Sequence, residues 1–306
     1  MKYEIEERLI WFKGELIPIK DAKVMVFSPT AQFGLNVFEG IPCYWNDEDK
    51  KLYAFRLYDH YERLLKSASL LQIDCPYTID EMKKSLESVI QANEICENIN
   101  VRQTLFVDDF GSWAKGGKTE MFIVATPKKF GNAEYNTEGL RVCISSWRRI
   151  NDNSISPRIK CGANYLNSRM GQREAIRNGY DTCVFLNEYG YVSEGPGSCF
   201  FMVKNNKLIT PSLSDSVLES ITRDTVINLA KTIGVDVEER SIARTEVYTA
   251  EEAFLCGSAM EIKPILQIDG FYIKEKVDGI TSVIKKMYND IVYNKNKDFS
   301  KWVVLL

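Results

Sequence analysis

The stretch from Arg158 to Phe201 constrains the fold of this chain more than any other part. A helical pattern runs from Asn164 to Asn178, and Gly179 follows where a helix is expected to end. Thr182–Leu186 is typical of a buried strand, and after a turn the chain returns as a short strand at Tyr191–Ser193. The stretch therefore predicts a helix followed by two adjacent strands.

Three side chains in this stretch could bind a ligand. Lys160 and Tyr165 precede or open the helix, and Glu194 lies where the second strand ends. The segment Gly195-Pro196-Gly197 follows, and glycines either let the backbone approach a ligand closely or make a bend. A bend alone explains the glycines if the segment is taken in isolation. Together with the lysine and the tyrosine, the pattern indicates a cofactor-binding region.

Composition excludes several classes of protein. The chain has 306 residues, 45% hydrophobic and 26% charged, which is ordinary for a globular protein with a large core. Its net charge of -3 gives no electrostatic basis for binding nucleic acid or an acidic membrane. The charged start of the chain and the lack of a long apolar run predict neither a signal peptide nor a membrane span.

Cysteine and histidine usage argues against metal sites and hydrolase triads. The eight cysteines include no Cys-x-x-Cys pair, which favours reduced thiols in a cytoplasmic protein. With His60 as the single histidine, neither a zinc site nor a Ser-His-Asp triad is expected, and no Gly-x-Ser-x-Gly motif is present. We expect no metal.

The element pattern predicts an α+β fold of two domains, with mixed sheets and helices packed outside. The polar segment 128–139 contains two glycines and no periodicity, so it is the predicted linker. It separates a small domain at 1–127 from a larger one at 140–306 that contains Lys160. The loop at 109–119 is predicted to join two strands.

Local patterns predict individual elements. Leu9–Ile19 is typical of a hairpin, and Lys23–Phe27 of a strand. Helices are predicted over Leu57–Leu71, after the capping box that opens at Thr78, and over Val277–Val292.

Two segments and one arginine could bind an anion. Ser220–Asp224 opens a helix with hydroxyl groups, and Gly257-Ser258-Ala259 follows a strand. Arg63 has the fork geometry that suits phosphate. Each has an ordinary explanation, as a helix cap, a loop or a surface residue. A phosphate site near a lysine, a tyrosine and a glutamate suits pyridoxal phosphate, but these arguments alone do not single out Lys160 among the lysines.

Three motifs together resemble a known family. They are Lys160–Tyr165, Tyr191–Gly197 and Leu218–Asp224, and they resemble the class IV (fold type IV) pyridoxal-phosphate aminotransferases, which share the D-amino acid aminotransferase-like fold. The branched-chain amino acid aminotransferases are the most similar subgroup. Supporting stretches occur in the family's order: Phe33-Gly34, Val37–Gly40, His60–Leu64, Ser145–Trp147 and Gly257–Ile262.

The resemblance implies a role for each matching residue. Lys160 is expected to be catalytic, forming a Schiff base with the cofactor aldehyde and moving the substrate proton. Glu194 is expected to bind the ring nitrogen, Tyr165 the phenolate side, and Leu218 the ring face. The expected phosphate ligands are Arg63, Ile221, Thr222 and Ser258. The expected substrate-binding residues are Phe38, Gly40, Arg102, Ser258, Ala259 and Met260.

The resemblance also implies an activity and an assembly. It implies ping-pong transamination between a branched-chain L-amino acid and 2-oxoglutarate in a homodimer, with the loop at 109–117 covering the partner's site. Asn100 and Phe33 replace aromatic or tyrosine residues that are usual in relatives, so substrate preference stays open. The alternatives are a D-amino acid aminotransferase, a 4-amino-4-deoxychorismate lyase, or a non-catalytic binding protein on the same scaffold.

Overall fold

The computed structural model describes residues 5–128, 139–273 and 278–306. By their contacts these residues form two units. The first contains the chain up to 128 together with Ile159–Ala163 and Asp290–Leu306, and the second contains the rest.

The first unit is built on a seven-stranded sheet in the order β15-β4-β3-β5-β6-β1-β2, with antiparallel pairing throughout. Its strands are β1 (Leu9–Phe12), β2 (Glu15–Pro18), β3 (Asn36–Asn46), β4 (Lys51–Phe55), β5 (Ile99–Val107), β6 (Thr119–Pro127) and β15 (Val303–Leu305). Its helices are α1 (Pro29–Phe33), α2 (Leu57–Leu70) and α3 (Ile79–Ala92).

Helices α2 and α3 cover the core of this sheet. Leu57, Tyr61, Leu64 and Ala68 recur at helical spacing on α2 and are buried in one apolar cluster with strand residues such as Ile41. At the start of α3, the Thr78 hydroxyl accepts from the Glu81 N–H while the Glu81 carboxylate accepts from the Thr78 N–H. The predicted capping box is therefore confirmed.

The second unit is built on a mixed sheet in the order β11-β10-β9-β12-β13-β7-β8, with β14 paired to β13. Its strands are β7 (Leu140–Arg148), β8 (Thr182–Leu186), β9 (Cys199–Lys204), β10 (Lys207–Thr210), β11 (Val237–Glu239), β12 (Glu252–Gly257), β13 (Glu261–Ile268) and β14 (Phe271–Tyr272). Its helices are α4 (Tyr165–Arg177), α5 (Ile221–Thr232) and α6 (Ile280–Val292), which leads the chain back to the first unit.

The predicted α+β class, with two sheets and helices packed against them, is confirmed. Mixed pairing is found in the second sheet, whereas the first is antiparallel throughout. No helix in the described ranges is long and apolar enough to cross a membrane.

The division into units differs from the predicted domains in two places. Lys160 and its neighbours belong to the first unit, because Cys161 pairs with Val37 of β3. The end of the chain also belongs there, because β15 pairs with β4. Most of the predicted linker, residues 129–138, lies outside the described residues, as does Val277 at the predicted start of the last helix.

Two predicted strands were wrong. Lys23–Phe27 forms no strand: its apolar side chains are largely exposed, and Met25 donates its N–H to the Asp108 carboxylate instead of to a neighbouring strand. Tyr191–Ser193 makes only isolated bridges, Leu186 with Val192 and Tyr191 with Ala243. Strand β13 was not predicted, since Pro264 interrupts its pattern.

Gly171 of α4 is required by close packing. A Cβ added there would lie 2.4 Å from Cζ of the buried Phe185 on β8 and 2.9 Å from Sγ of Cys183. We expect Gly171→Ala to lower the free energy of unfolding, because overpacking costs about 1–3 kcal/mol whereas the gain in helix propensity is at most about 1 kcal/mol. Urea unfolding measures the change. The exposed Arg173→Ala on the same helix is the control, and equal stability of both variants would contradict the packing argument.

Candidate functional site

Lys160 is held through its backbone by two elements of the first unit. Its N–H donates to the Ser67 hydroxyl on α2 (3.1 Å), and its carbonyl accepts from the Phe38 N–H on β3 (3.0 Å). Its amine lies 5.1 Å from the centre of the Phe38 ring. The residue is half-buried, so a basic nitrogen lies near β3 on a fixed backbone.

Arg63 lies on the face of α2 that packs on β3, and it binds a carboxylate. Its Nε and Nη2 each donate to one oxygen of Glu39, and both donor–acceptor distances are 2.7 Å. His60 Nδ1 lies 2.7 Å from the same carboxylate. Glu39 and His60 lie in stretches that support the family resemblance, but the sequence predicted no function for either residue. The available signal was a charged residue in an apolar strand, between Val37 and Ile41 in the period-two pattern.

Electrostatics fixes the charges in this cluster. Burial raises the pKa of Glu39, but the charge and hydrogen bonds of Arg63 and the bond to His60 outweigh it and hold the pKa far below its usual range. Burial lowers the pKa of His60, and the cations Arg63 and Lys160 lower it further against the raising effect of Glu39. The cluster therefore contains an ionised carboxylate, a guanidinium and a neutral imidazole.

The predicted substrate residues of the first unit lie on two paired strands. Gly40 of β3 is opposite Arg102 of β5, and the Arg102 guanidinium lies 4.1 Å from the centre of the Phe38 ring. Asn100 precedes Arg102 by two residues, so it is on the same face of β5, and Phe33 is exposed at the end of α1. Lys160 and Arg102 thus both contact one aromatic ring.

Glu194 is the centre of the corresponding region in the second unit. Its side chain is buried, and Arg149 donates to its Oε1 from Nε (3.0 Å) and Nη2 (2.8 Å). Its Oε2 accepts from the Leu218 N–H (3.3 Å) and the Cys199 thiol (3.7 Å). Arg149 also donates to Asn167 of α4. Both members of the Arg149–Glu194 ion pair therefore have a further hydrogen-bond partner.

Cys199 can serve as a donor because its thiol stays protonated. Burial raises its pKa to about 12, and the charge of Glu194 adds to this effect. Sequence reasoning missed Arg149, which is separated from Glu194 by 45 residues and belongs to none of the three motifs. An arginine directly after a strand was the only available signal.

Helix α5 begins as an anion site would require. Ser220 is its N-cap and accepts from the Arg223 N–H (3.2 Å), and Ile221 and Thr222 form the buried first turn, where backbone N–H groups point out of the helix end. Glu219, before the cap, pairs with Arg158 (2.5 Å). As at any helix N-terminus, these free N–H groups and the helix dipole favour negative charge at this end.

The segments Gly195–Gly197 and Gly257–Ala259 of the second unit lie side by side. A Cβ added at Gly257 would be 3.0 Å from the carbonyl oxygen of Gly197, a contact tighter than most Cβ atoms make, so a larger residue there would require the backbone at Gly197 to shift. Ser258 follows at the end of β12 and is half-buried, and Ala259 is exposed.

The structure groups the predicted residues within each unit. In the first unit, Lys160 and Arg102 both lie close to the Phe38 ring, and Arg63 of α2 binds Glu39 of β3. In the second unit Glu194 contacts Leu218, whereas Tyr165 is 38% exposed at the first position of α4. Within the described ranges, no group of three or more histidine, cysteine or acidic residues is arranged to hold a metal ion.

Known proteins match this chain over most of its length. The family model for amino-transferase class IV matches residues 36–268. A probable branched-chain-amino-acid aminotransferase of Aquifex aeolicus is 37% identical over 96% of this chain and 95% of its own.

Solved structures are similar over nearly the whole chain. The branched-chain aminotransferase of Thermoproteus uzoniensis, solved with norvaline, superposes with a TM-score of 0.92 at 38% identity, over 97% of this chain and 98% of that one. The enzyme of Thermobaculum terrenum, in its PLP form, gives 0.91 at 38% identity over 99% of each chain. With a family model that covers most of its length and relatives aligned almost end to end, this chain belongs to the class IV aminotransferases.

Proposed function

We propose that this protein is a branched-chain-amino-acid aminotransferase that uses pyridoxal 5'-phosphate and 2-oxoglutarate as the amino acceptor. The observation that carries the proposal is end-to-end similarity to solved branched-chain aminotransferases, one of them in its PLP form. The buried free thiols, such as Cys43 and Cys256, suit a reducing compartment, so we place the enzyme in the cytoplasm.

The residues present fit the cofactor. A protonated ring nitrogen needs a carboxylate partner, and the hydrogen bonds from Arg149 hold the buried Glu194 carboxylate in a fixed orientation. A phosphate needs backbone donors and a cation, for which we assign Ile221 and Thr222 at the start of α5, with Ser258 and Arg63. Tyr165 would bind the phenolate oxygen, and Leu218 would pack on the ring.

When bound, pyridoxal phosphate supplies an electron sink for the substrate's Cα. We assign cofactor attachment and proton transfer to Lys160: its amine would hold the cofactor through the aldehyde and, once an amino acid has taken its place, would act as the base that moves the proton between the substrate's Cα and the cofactor. Arg102 would bind the substrate carboxylate, and Phe38, Gly40, Ala259 and Met260 would border the side chain. Two half-reactions on one site give ping-pong kinetics.

The donor specificity tests the proposal directly. We expect leucine to change the visible absorbance of the cofactor-loaded protein, because it displaces Lys160, and to yield its 2-oxo acid. D-Alanine and aminodeoxychorismate, assayed in parallel, should give no comparable change. A faster reaction with either would replace the proposed function with one of the alternatives on this fold.

A lysine variant provides the control. After borohydride reduction, mass spectrometry should find the cofactor on the peptide that contains Lys160. In Lys160→Ala no such peptide should appear, whereas the exposed Lys84→Ala should be labelled as the parent protein is. A labelled Lys160→Ala protein would contradict the assignment.

Arg149 is expected to support the role of Glu194. Arg149→Leu leaves a buried carboxylate without its cation, which costs about 3–5 kcal/mol of stability and removes the hydrogen bonds that orient Glu194. We therefore expect a lower melting temperature, a changed cofactor spectrum and slower transamination. The exposed neighbour Arg148→Leu is the matched control, and unchanged kinetics in Arg149→Leu would show that Glu194 does not need its partner.

We also propose a homodimer in which the loop at 109–117 covers the partner's site. In support, this loop and the nearby segment expose large apolar side chains: Phe110 is 77%, Trp113 71% and Phe27 64% exposed, and the rings of Phe27 and Phe110 lie 6.0 Å apart. Contiguous exposed apolar surface of this kind marks interaction sites.

Mixed dimers test the loop assignment. A Phe110→Ala/Trp113→Ala protein should have little activity, and so should Lys160→Ala. Because a dimer of one chain of each type has one intact lysine and one intact loop on different protomers, mixing and subunit exchange should restore part of the activity. No recovery, with exchange verified by mass, would mean that the loop acts on its own protomer.

A further inference from the structure

Glu39 is a buried carboxylate that binds two side chains of one helix. It is fully buried on β3, and it accepts two hydrogen bonds from Arg63 and one from His60. The two partners are three residues apart on α2, so they lie on the same face of the helix. Bidentate contact through Nε and Nη2 fixes the plane of the Arg63 guanidinium.

The same face of α2 also holds the lysine. Ser67, one turn after Arg63, accepts from the Lys160 N–H, and Phe38, next to Glu39, donates to the Lys160 carbonyl. One side of α2 and one short length of β3 thus hold both the proposed phosphate arginine and the proposed catalytic lysine.

His60 completes the cluster as a neutral donor. Because the Glu39 carboxylate can only accept, His60 Nδ1 carries the hydrogen. Its Nε2 is buried and has no hydrogen-bond partner among the described residues. A buried imidazole with one unpaired nitrogen adds little to stability by itself, which favours a role through the bond that it does make, to Glu39.

We propose that Glu39, supported by His60, is a positioning residue for the cofactor phosphate: it orients the Arg63 guanidinium so that phosphate is bound without rearrangement. This inference rests on the proposed function, since it takes Arg63 as a phosphate ligand. It goes beyond that function by assigning a role to two residues that do not themselves contact the cofactor.

If Glu39 acted only through its charge, its removal would change phosphate affinity in the opposite direction from the one expected of a positioning residue. Glu39 brings a negative charge close to the proposed phosphate site, so its removal should strengthen phosphate binding if only charge matters. If Glu39 positions Arg63, its removal should weaken binding, because glutamine replaces one of the two acceptor oxygens with an NH2 group that cannot accept from the guanidinium, so the two parallel hydrogen bonds to Nε and Nη2 are lost. The sign of the change in affinity therefore separates the two explanations.

The experiment compares two ligands that differ only in the phosphate. Apo protein is titrated with pyridoxal 5'-phosphate and with pyridoxal, and dissociation constants are measured by absorbance. For Glu39→Gln we expect the constant for pyridoxal phosphate to rise about tenfold or more, as the loss of a charged hydrogen bond implies, with little change for pyridoxal. Glu252→Gln, at a buried carboxylate that caps α6, is the matched control and should alter neither.

Two results would overturn the proposal. One is unchanged or tighter binding of pyridoxal phosphate by Glu39→Gln, and the other is equal weakening for both ligands, which would indicate a general effect on the lysine or the fold. Failure of the parent protein to bind pyridoxal phosphate would instead refute the proposed function.

A milder pair of variants decides the question if Glu39→Gln does not fold. His60→Asn keeps a donor close to the Nδ1 position, whereas His60→Leu removes it. We expect pyridoxal phosphate to bind His60→Asn like the parent and His60→Leu more weakly, with pyridoxal again little affected. Equal affinities of the two variants for pyridoxal phosphate would contradict a positioning role.

Discussion

The attachment of five residues, Ile159–Ala163, to the first sheet is the constraint on which the proposed chemistry depends. The backbone N–H of Lys160 donates to the Ser67 hydroxyl, and its carbonyl accepts from the Phe38 N–H. These two hydrogen bonds fix the position of the Lys160 main chain. A catalytic amine on a free loop would lose part of its binding energy to ordering the backbone. In this chain the backbone of Lys160 is already ordered in the folded protein, so ligand binding does not have to order it.

In each unit, a buried ion pair holds a charged side chain in place. In the first, Arg63 is bound by Glu39, and in the second, Glu194 is bound by Arg149. A buried ion pair adds little net stability, but its hydrogen bonds orient both groups. In the proposed function, the first pair presents Arg63 for the phosphate and the second presents Glu194 for the ring nitrogen.

The sequence predicted the fold class and most helices well, because apolar spacing and capping are local signals. Helix α2 and the capping box at Thr78 are examples. It failed at Lys23–Phe27, where four consecutive apolar residues are typical of a strand but no neighbouring strand was available. The partners Glu39, His60 and Arg149 were missed as functional residues, because a buried ion pair between residues far apart in the chain leaves no local pattern. Motifs identified the residues proposed to touch the cofactor, and only the structure revealed what holds them.

The path of the chain has a consequence for how such an enzyme can be divided. The first unit is assembled from three separate pieces of sequence, so no single cut yields two polypeptides that each contain one whole unit. Cleavage within 129–138 would leave the lysine segment and β15 on the fragment that carries the second unit. Exchange of the two halves between relatives at this point would therefore separate the first sheet from its own edge strand.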